Sequence, residues 1–303
     1  MKFSVFTAST PEWSPQEAAT KLAAQGWDGI EWRVTDQADA AEPGFWAGNR
    51  ATWPMTGLED SIPEIARLTA DAGLEFSGLG GYARCDNHAD VDRVLAATAA
   101  LGARQVRVNV LPLGNSNMGG PEPTGLSYPE LFAATREHYE WVASRAAHHG
   151  VKALLELHHG TVTASASSAR RLLEGLDPQH VGVIHDLGNL LIEGWESPLP
   201  ALQLLGPYLA HVHVKNARWV RTDSKDESGA AVWVNEWAPL AEGQASVLAY
   251  FRALADVGYD SWVTLEDFST ELPLEERTAS NLAYVRKAAA LAGFAVVDPA
   301  SAP

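Results

Sequence analysis

Cysteine is nearly absent from this chain: Cys85 is the one thiol in 303 residues. That excludes an intramolecular disulfide and a thiolate metal cluster, and with them the small disulfide-stapled secreted folds. Long hydrophobic runs are missing as well, since no apolar stretch approaches the roughly 20 residues a helix needs to cross a bilayer. Basic residues are few, with 22 Lys and Arg against 38 Asp and Glu and a formal net charge of −16. Such a surplus of negative charge opposes attraction to phosphate backbones and anionic membranes, so neither nucleic acid nor a membrane is expected as a partner. The opening Met-Lys-Phe-Ser-Val-Phe carries no signal-type apolar segment. With the single cysteine, this predicts a reducing, cytoplasmic setting. No low-complexity linker suggests a boundary, and residues 1–303 are read as one domain.

A strand-then-helix pattern runs along the chain. Residues 2–7 read as a strand, and Ser14-Pro15-Gln16-Glu17 opens a helix with an N-cap, a Pro at the first helical position and a Glu at N3. Strands are expected at 29–34, 74–79 and 105–110, and helices near 60–72 and over 89–102, 128–149, 246–257 and 273–292. A long insertion rich in Ala, Gly and Trp follows the second strand, and a Gly/Pro/Asn loop spans 112–126. The tail from 298 is expected to fray. Eight strands in this alternation predict an α/β fold, a single (β/α)8 TIM barrel.

Four later apolar runs each end in a metal-ligand residue: Ala153 to Glu156, Val181 to Asp186, Leu209 to His213 and Trp262 to Glu266. Short Val- and Ile-containing runs read as parallel strands buried on both faces. In a parallel barrel the active site forms where the C-terminal ends of the strands meet. Glu156, Asp186, His213 and Glu266 should therefore converge, and a carboxylate-rich cluster needs a cation to hold it together. The set is mainly hard and suits one divalent ion, with Mn²⁺ favoured over Mg²⁺, Co²⁺ or Zn²⁺. The spacings of 30, 27 and 53 residues match βα units of about 30 residues except the last. The excess falls in 217–240, a polar stretch with Trp219, Trp233 and Trp237, read as a loop enlarged to cover a pocket.

The chain resembles the sugar isomerase/epimerase-like TIM barrels, relatives of xylose isomerase and of the family 2 AP endonucleases. The resemblance lies in Glu156-Leu157-His158-His159-Gly160-Thr161, Asp186-Leu187-Gly188-Asn189 with Gly194-Trp195-Glu196, His211-Val212-His213-Val214-Lys215-Asn216, and Gly258-Tyr259-Asp260-Ser261-Trp262 leading to Glu266. It implies one divalent ion held by Glu156, Asp186, His213 and Glu266, and proton abstraction beside a carbonyl to give an enediolate. Glu156 and Glu266 would then face each other as ligands and proton-transfer groups. His158 is the candidate for an independent acid or base, because its ordinary pKa lies near neutrality. Lys215, two residues beyond His213, is the candidate to steady an oxyanion or a substrate carboxylate. Ketose 3-epimerases of this kind carry a Glu six residues after the first ligand and a His three after the Asp, where this chain has Val162 and Asn189. The Glu-x-His-x-Gly-Thr pattern is similar to the inosose dehydratase branch, in which a keto-cyclitol loses water. The histidines of a three-zinc nuclease centre are missing.

The expected function is a metal-dependent isomerase or epimerase of a small keto-sugar or keto-cyclitol. An inosose dehydratase-like lyase and a non-catalytic sugar- or metal-binding barrel are the alternatives, and homo-oligomerisation is left open. His211 shares a strand face with His213 and competes for the ligand role. His159 and His185 are expected on the opposite face, in packing positions. Glu31, Arg33 and Asn109 end earlier strands and read equally as substrate contacts or buried ion pairs. Gly78-Leu79-Gly80-Gly81 bears a weak likeness to a phosphate-binding turn. Apart from Lys215 and Arg218 no Lys/Arg cluster is visible, which favours an unphosphorylated substrate.

Overall fold

The computed structural model describes residues 1–114 and 125–295. Most of the loop expected over 112–126, and the tail from 298, lie outside the described residues. Eleven strands occur among them: β1 Lys2–Phe6, β2 Gly29–Val34, β3 Thr52–Trp53, β4 Glu75–Gly81, β5 Gln105–Arg107, β6 Lys152–Glu156, β7 Val181–Asp186, β8 Leu209–Val214, β9 Asn216–Lys225, β10 Ala231–Ala238 and β11 Trp262–Leu265. Eight of these are parallel neighbours in the order β1, β11, β8, β7, β6, β5, β4, β2, and pairing of β1 with β2 closes the ring. The result is the (β/α)8 barrel the alternation predicts.

The outer helices form where the local signals place them. Pro15–Gln25 starts from a capping box between Ser14 and Glu17, and Tyr128–His149 from one between Ser127 and Glu130. Each box satisfies backbone N–H groups that the first turn leaves without partners. Leu58–Asp71, His88–Ala100, Val247–Asp256 and Leu274–Leu291 fall within a residue or two of expectation. Their apolar faces pack on the strands in one continuous core that includes Leu22, Ile65, Leu95, Val142, Phe251 and Val285. No described helix is long and apolar enough to cross a membrane.

Two expectations about local structure are corrected. Residues 217–240 are not an open loop: β9 and β10 pair antiparallel from Asn216–Ala238 to Lys225–Ala231. Exposure alternates along β9, with Arg218, Val220 and Thr222 more sheltered than Trp219, Arg221 and Asp223, the period of a two-sided strand. The turn is fixed by Asp226, whose carboxylate accepts from Ser228 and Ala230 N–H at 2.8 and 3.0 Å. Gly78 to Gly81 is likewise no phosphate turn but the interior of β4. Its glycines answer to packing, because a Cβ on Gly80 would sit 1.9 Å from the Phe6 ring. That space lets Phe6 lie against His213, with ring centroids 5.7 Å apart.

Candidate active site

The four expected ligands meet. Glu156 and Asp186 end β6 and β7, His213 is the penultimate residue of β8, and Glu266 directly follows β11. Register makes this inevitable, since Asp186 lies opposite His213 and His213 opposite Thr264 on neighbouring strands. One ligand atom from each lies within 4.8 Å of all the others, and all four residues are buried. His213 Nδ1 faces the three carboxylates, 3.4 Å from Glu156, 3.7 Å from Glu266 and 3.8 Å from Asp186, yet is a buried nitrogen without a hydrogen bond. On the other edge of the ring, Nε2 lies 3.1 Å from Glu31 Oε2. Burial opposes charge on this ring, but Glu31, Glu156 and Glu266 raise its pKa well above the ordinary value; a metal ion at Nδ1 would displace the proton there, while Glu31 keeps the one on Nε2.

His211 belongs to the layer beneath. Its Nδ1 accepts from Gln105 Nε2 at 3.0 Å, and its Nε2 lies 2.8 Å from Glu31 Oε2 and 2.9 Å from Thr264 Oγ1. His213 is thus the imidazole in the carboxylate cluster, and Glu31 is a buried acceptor for both histidines rather than part of the cavity wall. Burial opposes the charge of Glu31, but the two imidazoles overcome it and hold its carboxyl well below the usual range.

Cations balance the acids. Lys215 Nζ bonds Asp186 Oδ2 at 2.6 Å and also bonds Glu266 Oε2. Gly188 makes room for it, as a Cβ there would meet Lys215 Cγ at 2.3 Å. Arg107, which the sequence reading passed over, donates from Nη1 to Glu156 Oε2 at 2.6 Å and from Nε to Gly81 O at 2.9 Å. A charged residue on the inner face of the short strand Gln105-Val106-Arg107 was the available signal. Burial raises the Glu156 pKa, but Arg107 more than any other group drives it well below normal. Burial also lifts Asp186, aided by Glu156 and Glu266 against Lys215, to about 7.

A cavity of about 620 Å³ opens above this cluster. Glu156, Glu266, Lys215, His158 and Asn189 line it, as do Trp237 of β10 and Phe268, whose ring centroids lie 5.5 Å apart. His159 also lines it and stacks on His158 at 4.2 Å, contrary to the packing position expected. The strand stops at Glu156, so alternation no longer fixes which way residues beyond it point. His185 does pack outward, its Nδ1 2.7 Å from Tyr250 Oη. Asn109 donates to Tyr82 O at 3.4 Å and stays within the wall. Arg33 and Arg107 line the same cavity as Lys215, a cationic grouping that strand separation hides in the sequence. The residues fit a divalent ion: three carboxylates, one imidazole nitrogen without a hydrogen-bond partner among the described residues, and an acceptor on the ring's other nitrogen.

The chain belongs to the xylose isomerase-like TIM barrel family, which matches residues 19–288. Inosose dehydratase of Lacticaseibacillus casei is 25% identical over 131 residues, 42% of this chain and 44% of that protein. The match therefore spans less than half the length of that relative. Among solved structures, the 3-keto-D-glucoside 4-epimerase YcjR from E. coli superposes with a TM-score of 0.69 at 18% identity, over 95% of this chain and 99% of that one. The IolI protein, solved with a bound zinc atom, gives 0.72 at 15% identity over 98% and 100%. At such identities the structural likeness speaks for the fold alone.

Proposed function

We propose that the protein is a divalent-metal-dependent isomerase or epimerase of a small keto-sugar or keto-cyclitol. Glu156, Asp186, His213 and Glu266 would hold the ion, with Mn²⁺ as the metal used. The observation that carries this reading is the convergence of three carboxylates on the unpartnered His213 Nδ1 at the strand ends. Bound there, a divalent ion supplies Lewis acidity towards a carbonyl and its neighbouring hydroxyl.

The chain's own groups handle the proton. Glu156 at the end of β6 and Glu266 just after β11 line one cavity, so one can remove a proton from the carbon beside the carbonyl and the other return it to the resulting enediolate. His158 is kept neutral by burial, which lowers its pKa, and so serves as a further acceptor within the cavity. The Lys215 ammonium is held charged by Asp186 and Glu266 despite burial and can offset a developing oxyanion. Trp237 and Phe268 give the cavity an aromatic lining that limits the access of water.

A lyase of the inosose dehydratase type is a second reading, supported by the curated relative and by Val162 and Asn189 at the two positions that differ from ketose 3-epimerases. Both readings require the same enolisation. NMR of ketoses and inososes in D₂O with Mn²⁺-loaded protein tests them together. Metal-dependent deuterium incorporation is expected, with an epimer or isomer as product under the first reading and water loss under the second. Absence of exchange on every compound, with metal bound stoichiometrically, would favour a non-catalytic barrel.

Glu31→Gln tests the orienting layer. An amide cannot act as a charged acceptor for both imidazoles, so metal affinity should fall by about 10- to 100-fold in a calorimetric titration. Unchanged affinity would mean that His213 is oriented without it.

A further inference from the structure

Among the cationic groups lining the cavity, Arg107 pairs with Glu156 and Lys215 with Asp186 and Glu266. Arg33 is the exception. It is 3% exposed, and no carboxylate among the described residues forms an ion pair with it. Its Nη1 donates to Gln37 Oε1 at 3.0 Å and Thr52 Oγ1 at 2.9 Å, both neutral acceptors. Its Nε is buried and has no hydrogen-bond partner among the described residues. Asp36 borders the same cavity, but its carboxylate accepts from Thr56 N at 3.0 Å and Thr56 Oγ1 at 2.7 Å.

A buried guanidinium with only neutral partners is costly to keep unless a negative group completes it. Geometry says where that group would come from. The Arg33 guanidinium lies 5.0 Å from the centroid of the Tyr82 ring, and the Arg107 guanidinium 4.2 Å from the same centroid. Tyr82 thus connects Arg33 to Arg107, and Arg107 connects it to Glu156 of the carboxylate cluster, all four lining the same cavity. A molecule whose carbonyl sits over the cluster would reach Arg33 with its far end. Arginine's planar fork matches carboxylate and phosphate oxygens, which a neutral hydroxyl cannot replace in charge.

We propose that the substrate carries an anionic substituent, a carboxylate or a phosphate, at the end remote from its carbonyl, and that Arg33 binds it. This rests on the cavity being the sugar site proposed above. A carboxylate would keep the expectation of an unphosphorylated substrate and a phosphate would reverse it; that expectation rested on basic residues that look scattered in sequence and are gathered by the fold.

Calorimetric titration of the Mn²⁺-loaded protein with D-fructose, D-fructuronate and D-fructose 6-phosphate tests it, and reads affinity rather than turnover. One of the two anions should bind about tenfold or more tightly than D-fructose, and Arg33→Gln should remove that advantage. Preference for the fructuronate assigns acid sugars, and preference for the 6-phosphate assigns sugar phosphates. Should Arg33→Gln not fold, Arg33→Lys keeps the charge without the fork and should lose part of the advantage. Equal affinity for all three sugars, failure of both anions to bind at millimolar concentration, or an anion advantage that survives Arg33→Gln overturns the proposal. Anion binding through Arg33 with no deuterium exchange on any compound retains this inference and overturns the isomerase reading; exchange on D-fructose without anion preference does the reverse.

Discussion

Glu266→Gln is expected to lower metal-dependent deuterium exchange by about 10²–10⁴-fold, the range associated with loss of a positioned acid or base, and to weaken metal binding. The amide fills the same volume but brings no negative charge and no basic oxygen to the cluster. The barrel should survive, because Lys215 keeps its 2.6 Å bond to Asp186 and Glu266 lies beyond the last strand residue, Leu265. Thermal unfolding with chelator present measures that survival separately. His158→Ala supplies the contrast, since its ring nitrogen bonds the His159 carbonyl at 2.7 Å and takes no part in the ligand cluster. Metal affinity should be unchanged there while exchange falls. Full exchange in Glu266→Gln would remove the proposed site.

The convergence of Glu156, Asp186, His213 and Glu266 was legible because each ends an apolar run, and parallel strands deliver their C-terminal residues to one place. His213 over His211 followed from position at the end of a run, and the layer between Gln105, Glu31 and Thr264 shows why the earlier histidine is taken. What stayed hidden depends on pairing across strands. Arg107 reads as one residue of a three-residue strand, and only the register that sets it opposite Leu154 brings it to Glu156. His159 was misread because strand periodicity was carried past the strand's last residue. The β9–β10 hairpin was missed because its polar, Trp-containing sequence lacks the apolar runs that mark buried strands; its alternation is that of a ribbon exposed on one face.

Arg107→Leu is the substitution with the largest expected effect on stability. It would leave Glu156, whose side chain is 2% exposed, without the guanidinium that offsets its burial. Breaking a buried pair in this way costs about 3–5 kcal/mol, most of it from the charge left behind. Urea denaturation in chelator should show that loss, and Arg107→Lys should recover only part of it because the bond from Nε to Gly81 O also goes. The pH dependence follows from the sign of the shift. Glu156 is held well below its ordinary 4.5 in the folded protein, so its contribution is present above that pH and fades as pH falls through the folded value. Without Arg107 the slope of stability against pH below 4.5 should flatten. A variant as stable as the wild type, with the slope intact, would show that Lys215 and His213 neutralise Glu156 unaided.

The central claim is that one divalent ion belongs among Glu156, Asp186, His213 and Glu266. Anomalous diffraction from crystals soaked in Mn²⁺ tests it most directly. A single peak bonded to His213 Nδ1 and the three carboxylates is expected. A peak between Glu31, His211 and His213 Nε2, the other buried group whose ligand atoms lie within 4.8 Å of one another, or no peak at all, would contradict it.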